Sequence, residues 1–228
     1  MNTFLIRTVA TAGLLGIATL GLSGVAHAEI FGDPYGMAGW TVEQAYNDCA
    51  IMAAADVIGQ MTGTAPAEDE IVDFAKHTPS VAEPGDMIYD QTDDDDDPNG
   101  GTIFEDLPVV LAHYGVHGTY MDGASLHALE QVLGNDGAVI VNVNAESIWD
   151  VDGDRTKSDH ALVVTGVDTD AGIVHLNDSG TPDGADEQVG IDTFSAAWQT
   201  SGNEMVAVDQ VFSSSSASIT MMPLGPRM

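Results

Sequence analysis

The sequence predicts an α+β domain, a helical N-terminal part packed on a C-terminal antiparallel sheet. Three observations carry this. Apolar residues recur at helical spacing through most of the first 134 positions. Beyond them β-branched alternation takes over, as in "GAVIVNVNA" (137–145). Two further apolar runs, 160–168 and 172–178, are separated only by a short turn ending at Gly172, a hairpin signal. Helices followed by strands build α+β domains.

The elements are expected in this order. "FGDPYGMAG" (31–39) is rich in Gly and Pro and reads as an irregular arm. "CAIMAAADVIGQMTG" (49–63) reads as a helix. Met52, Ala53, Val57 and Met61 share its apolar side, Gly63 is its stop, and Asn47 or Asp48 its N-cap. "EDEIVDFAK" (68–76) makes a second helix after Pro66. "YDQTDDDDDPNGG" (89–101) is a solvated loop, because five adjacent aspartates repel one another.

"TIFEDLPVVLAHYGV" (102–116) is expected as a helix. Thr102 and Glu105 stand at capping-box spacing, and Pro108 is acceptable only near a first turn. "SLHALEQVLG" (125–134) is an amphipathic helix ending on glycine. Strands follow at 137–145, 160–168 and 172–178, then a short helix or turn at 193–199 and a last strand at 205–212. A Ser-rich tail occupies 213–228.

Only 5 basic residues face 36 acidic ones, for a net charge of −31. Such a chain repels nucleic acid and anionic membrane surfaces, and attracts cationic peptides or divalent cations. No cofactor motif is read. "WDVDGDR" (149–155) alternates Asp150, Asp152 and Asp154, but its glycine is fourth in the run where an EF-hand needs it sixth, so it reads as a solvated loop.

Residues 1–28 read as a secretory signal. Arg7 precedes the apolar run "TVATAGLLGIATLGLSGVA", and "AHA" (26–28) is a small-x-small cleavage site. The protein is expected to be exported, with one domain over 29–212.

Export makes Cys49 informative, because it is the only cysteine. It forms an intermolecular bridge, lies inert in the core, or is a reactive thiol. Its place at a helix start favours the last. Unpaired N–H groups there stabilise a thiolate.

A thiolate nucleophile needs a base, usually His, and a group to orient that base. His27 falls in the signal, His77, His113, His117 and His127 in helices or loops, and His175 inside a strand. His160 opens a strand after a polar loop, where it is placed to face a cleft. Asp178 lies near the end of the paired strand, and in an antiparallel pair the start of one strand faces the end of the next. Asp178 is therefore placed to fix the imidazole tautomer. Asn177 is the weaker alternative and should face the opposite way. Gln44, five residues before Cys49, is a candidate oxyanion donor together with the Cys49 N–H.

These stretches resemble a known family. "QAYNDC" before a small-residue helix, "GGTIFEDLPVVLAHYGV", and "DHALVVTGVDTDAGIVHLNDSG" together resemble the bacteriocin-processing, papain-like cysteine peptidases that cleave double-glycine leaders. The chain looks like a stand-alone exported relative. The resemblance implies a papain-like fold with a cleft between helices and sheet. It implies Cys49 as nucleophile, His160 as base, Asp178 as orienting acid, Gln44 as oxyanion donor, and a peptide or protein substrate. The competing expectation is a non-catalytic acidic module on the same fold, holding calcium or a cationic partner.

Overall fold

The structure is a computed structural model that describes residues 30–92 and 100–209. The expected signal (1–28), the five aspartates (93–97) and the Ser-rich tail (213–228) lie outside the described residues.

The chain enters as β1 (Ile30–Gly32), α1 (Pro34–Met37) and a 3-10 turn, Ala38–Trp40. Two helices follow, α2 (Cys49–Thr62) and α3 (Glu68–Lys76). The ribbon β2 (Tyr89–Asp90) and β3 (Gly101–Thr102) precedes a 3-10 turn, Phe104–Asp106, and α4 (Leu107–His113). Then come β4 (Gly118–Met121), α5 (Leu126–Leu133), β5 (Ala138–Val143), α6 (Ala145–Ile148) and β6 (His160–Asp168). The last elements are β7 (Ile173–Asn177), β8 (Ala185–Gly190), α7 (Ile191–Gln199) and β9 (Met205–Val208).

Seven strands form one sheet in the order β4-β9-β5-β6-β7-β8, with β1 paired to the far half of β6. Every pairing within it is antiparallel. The fold is α+β, as the sequence predicts, with the papain-like layout that the resemblance implies.

Both sheet faces are covered. Ala138, Ile140, Ala161, Val163 and Val206 join the core under α2, α3 and α4. Val139, Val141, Leu162, Val164 and Leu176 join a second core with α5 and α7. Strand alternation is therefore read out as two different cores, and β6 is buried along almost its whole length. The first core centres on α2, in which Ala50 to Gly59 are all buried. Small residues let that helix press against the sheet. Gly63 ends it with φ +78°, a left-handed conformation that glycine adopts without strain.

Several expectations change. The arm at 31–39 is ordered, because Asp33 caps α1 through the Gly36 N–H at 3.0 Å and β1 adds to the sheet. The helix expected over 102–116 starts at Leu107. Thr102 is claimed by β3, where it opposes Tyr89, so the capping box does not form. Pro108 then falls in the first turn of α4, where its missing N–H costs nothing. Four strands, β2 and β3 at the ends of the expected loop 89–101, β4 and β8, and the short α6 were not anticipated.

Candidate active site

Cys49 is the first residue of α2 and is half-buried. Residues of the first turn have no intrahelical partner for their N–H groups, so the local field favours an anion. The Ala161 N–H donates to the Cys49 sulfur at 3.4 Å, which ties the start of α2 to the mouth of β6.

His160 is the first residue of β6 and is buried. Its Nε2 meets Asp178 Oδ1 at 2.7 Å. That leaves Nδ1 for Cys49, with which the ring also hydrogen-bonds. Burial alone would lower the imidazole pKa. The Cys49 charge, the hydrogen bonds to Asp178 and Cys49 and the Asp178 charge overcome it and push it up to about 10.

Asp178 is fully buried and well supplied with donors. Oδ1 also accepts from the Gly180 N–H at 2.7 Å, and Oδ2 from the Trp149 indole at 2.8 Å. Burial opposes its charge, but the His160 hydrogen bond and charge, then these two donors, hold its carboxyl below the usual range. A side chain at Gly180 would meet His160 Cε1 at 2.9 Å, Trp149 Cζ2 at 2.9 Å and Asp178 Oδ1 at 3.1 Å. Only glycine lets the chain pass this close. Asn177 does face the other way, and donates to Asp56 Oδ2 at 2.7 Å inside the first core.

The structure thus brings Cys49, His160 and Asp178 together in one crevice where α2 meets β6 and β7. This arrangement can hold a thiolate–imidazolium pair with an oriented ring. The sequence profile of the Peptidase_C39-like family matches residues 32–206. The chain belongs to that family. It is 46% identical over 219 residues to two proteins described as uncharacterized, Mb1299c of Mycobacterium bovis and Rv1268c of Mycobacterium tuberculosis. Each alignment covers 87% of this chain and 94% of the relative. A crystal structure described as a C39-like peptidase from Bacillus anthracis superposes with TM-score 0.56 at 16% identity. It covers 75% of this chain and 94% of that one. That likeness is one of fold.

Gln44 sits beside the acid strand of this C39-like domain. Its N–H donates to the Ser179 carbonyl at 2.9 Å, and its side-chain oxygen accepts from the Ser179 hydroxyl at 2.9 Å. One amide hydrogen goes to the Tyr46 carbonyl at 2.9 Å. The loop before Cys49 is therefore clamped to the segment that follows Asp178.

Three residues beside the site escaped the sequence reading as parts of it. Trp149 lies 29 residues before Asp178 in the chain, and its ring centroid is 5.1 Å from that of His160. Asp48 precedes Cys49 and is 1% exposed. It stands at the N-cap position but makes no cap bond, and no donor faces either oxygen. Burial, then the charge and contact of Glu68, push it up to about 7. Glu187 on β8 is the third.

A cleft of about 720 Å³ opens between the helical part and the sheet; Tyr89, Phe104 and Asn142 line it, and Cys49, His160 and Asp178 do not. Asn142 on its wall opposes Ala161, and Ser158 stands two residues before His160. Glu83, Asp86, Asp90, Glu105 and Glu204 line it, against one cation among the described residues, Lys76, which is bonded to Gln91 at 2.8 Å. A cavity of about 760 Å³ lies at the opposite end of α2 and contains none of these residues. In the loop 149–155, Asp150 pairs with Arg155 at 3.1 Å and Asp154 accepts from Thr156. Among the described residues no three His, Cys, Asp or Glu side chains converge as a metal site would require.

Proposed function

We propose that this chain is an exported cysteine peptidase or amide hydrolase acting on cationic peptides. The observation that carries the reading is the buried His160–Asp178 contact at 2.7 Å, with the ring's other nitrogen turned to Cys49. The Cys49 thiolate attacks the carbonyl carbon and a C–S bond forms. The oxyanion takes the Cys49 backbone N–H and the remaining amide hydrogen of Gln44. His160 gives its Nδ1 proton to the leaving nitrogen as the C–N bond breaks. Water then loses a proton to His160, attacks the thioester and releases the acid. Asp178 keeps the ring oriented throughout. The signal-like residues 1–28 support export.

The acidic cleft supports the substrate class, since carboxylates in a recessed groove raise the local concentration of cations. A library of cationic, neutral and acidic peptides tests both statements, with Cys49→Ala as control. Cleavage is expected from the wild type alone. Lys- or Arg-bearing peptides are expected to lead acidic ones by about tenfold or more in kcat/KM at low salt, narrowing as salt is added. Equal turnover by the Cys49→Ala protein would end the hydrolase reading. A preference for acidic peptides would end the charge reading alone.

A further inference from the structure

The register between β7 and β8 slips by one residue. Leu176 opposes Glu187, while Asn177 opposes Ala185. The extra residue is Asp186, held in left-handed backbone at φ +56°. The bulge is pinned on three sides. Asp186 Oδ1 meets His175 Nδ1 at 2.6 Å, Oδ2 accepts from Gln188 at 3.1 Å, and the Asp186 N–H donates to Asn177 Oδ1 at 3.5 Å. Bulges beside active sites re-aim side chains. Glu187 opposes Leu176, a residue of the second core, so it shares that sheet face with Asp178 two positions on, and its carboxyl sits against Asp178.

Oε2 of Glu187 is closed to solvent and no donor faces it. Its neighbour Asp178 is an acceptor and already holds His160, Gly180 and Trp149. Two ionised carboxylates packed together repel, and neither can donate. A proton on one converts the same contact into an O–H···O bond. Asp178 is the worse candidate for that proton, because three donors and the imidazolium favour its charge.

We propose that Glu187 is a positioning residue of the triad, a neutral carboxylic acid that donates to Asp178 and steadies it against His160. This rests on the triad reading above. Burial, then the Asp178 charge and contact, push Glu187 up to about 7, with His160 pulling the other way. Asp178, just past the end of β7, and His160 from β6 are the charged groups facing it. On its own strand Asp186 is turned to His175. The 3-10 turn Ala38–Trp40 brings no titratable side chain, and α7 brings only the exposed Asp192. The proton stays on Glu187 through the cycle. When Glu187 ionises, a second negative charge beside Asp178 tightens the proton on His160 and slows its delivery to the leaving group.

The test has two arms. Carboxyl-carbon NMR of the intact wild-type protein reads Glu187 without any substrate. A midpoint near 7 is expected, and one in the ordinary glutamate range of about 4.3 overturns the proposal. The second arm is the pH profile of kcat/KM for the wild type and Glu187→Gln, which keeps an N–H donor but cannot ionise. The wild type is expected to fall about tenfold from roughly one pH unit below that midpoint to one above it. Glu187→Gln is expected to stay level over the same span. Identical profiles overturn the proposal. If no peptide is cleaved at all, the hydrolase reading fails, while the NMR midpoint still decides the state of Glu187.

Discussion

Asp178→Asn lowers kcat by about 10³-fold or more while the protein still folds. An asparagine at this position keeps one acceptor, which in place of Oδ1 still serves both His160 Nε2 and the Gly180 N–H. Its amide then points N–H hydrogens at the Trp149 indole, a donor facing a donor where 2.8 Å now separates donor from acceptor. The ring loses its anionic partner, and the pull that holds a proton on Nε2 weakens. The imidazolium that must protonate the leaving group is no longer stabilised. Thermal unfolding should show a modest drop, since one buried hydrogen bond of ordinary worth, about 1 kcal/mol, is replaced by a mismatch. Undiminished kcat would show that Asp178 is only a structural acceptor.

Stability should peak in mild acid and fall as pH rises through neutrality. Burial pushes Asp56 up to about 6, against hydrogen bonds from Gln60 and Asn177. Asp48 and Glu187 are pushed up to about 7. Between the unfolded carboxyl range near 4 and these values, the folded chain holds protons that the unfolded chain has released. By linkage, stability is then lost as pH rises. His160 has the same sign. Its contribution is complete below the unfolded value of about 6.5 and is lost as pH rises through about 10. Asp178 acts oppositely, because its stabilisation is lost as pH falls below the usual carboxyl range. The net charge of −31 adds repulsion at high pH. Urea midpoints at about pH 5 and pH 8.5 check this. A higher midpoint at pH 8.5 would mean that the buried acids are charged in the native state without penalty.

What the sequence makes legible follows from local chemistry. α2 is readable because its small and apolar residues repeat at helical spacing and Gly63 supplies a left-handed stop. The contact between His160 and Asp178 is readable because hairpin geometry alone sets the start of β6 near the end of β7. The same hairpin turns Asn177 the other way.

What stays hidden depends on tertiary competition. Thr102 and Glu105 look like a helix start, yet a strand partner, Tyr89, takes Thr102 first. β8 reads "ADEQVG", and its side chains are mostly exposed or half-buried, so it carries no alternation to find. Asp48 looks like an N-cap, but the fold buries it beside Glu68 and leaves it without a donor. Trp149 and Glu187 reach Asp178 from other elements, and no spacing rule links them to it.

The most direct test of the central claim is the rate of Cys49 alkylation by iodoacetamide against pH, in the wild type and in His160→Ala. The claim is that sulfur and ring share one proton as an ion pair. It predicts rapid modification of the wild type at about pH 6, where an isolated thiol of pKa ~8.5 reacts slowly, and an ordinary thiol titration once the imidazole is removed. Superimposable curves for the two proteins would contradict it.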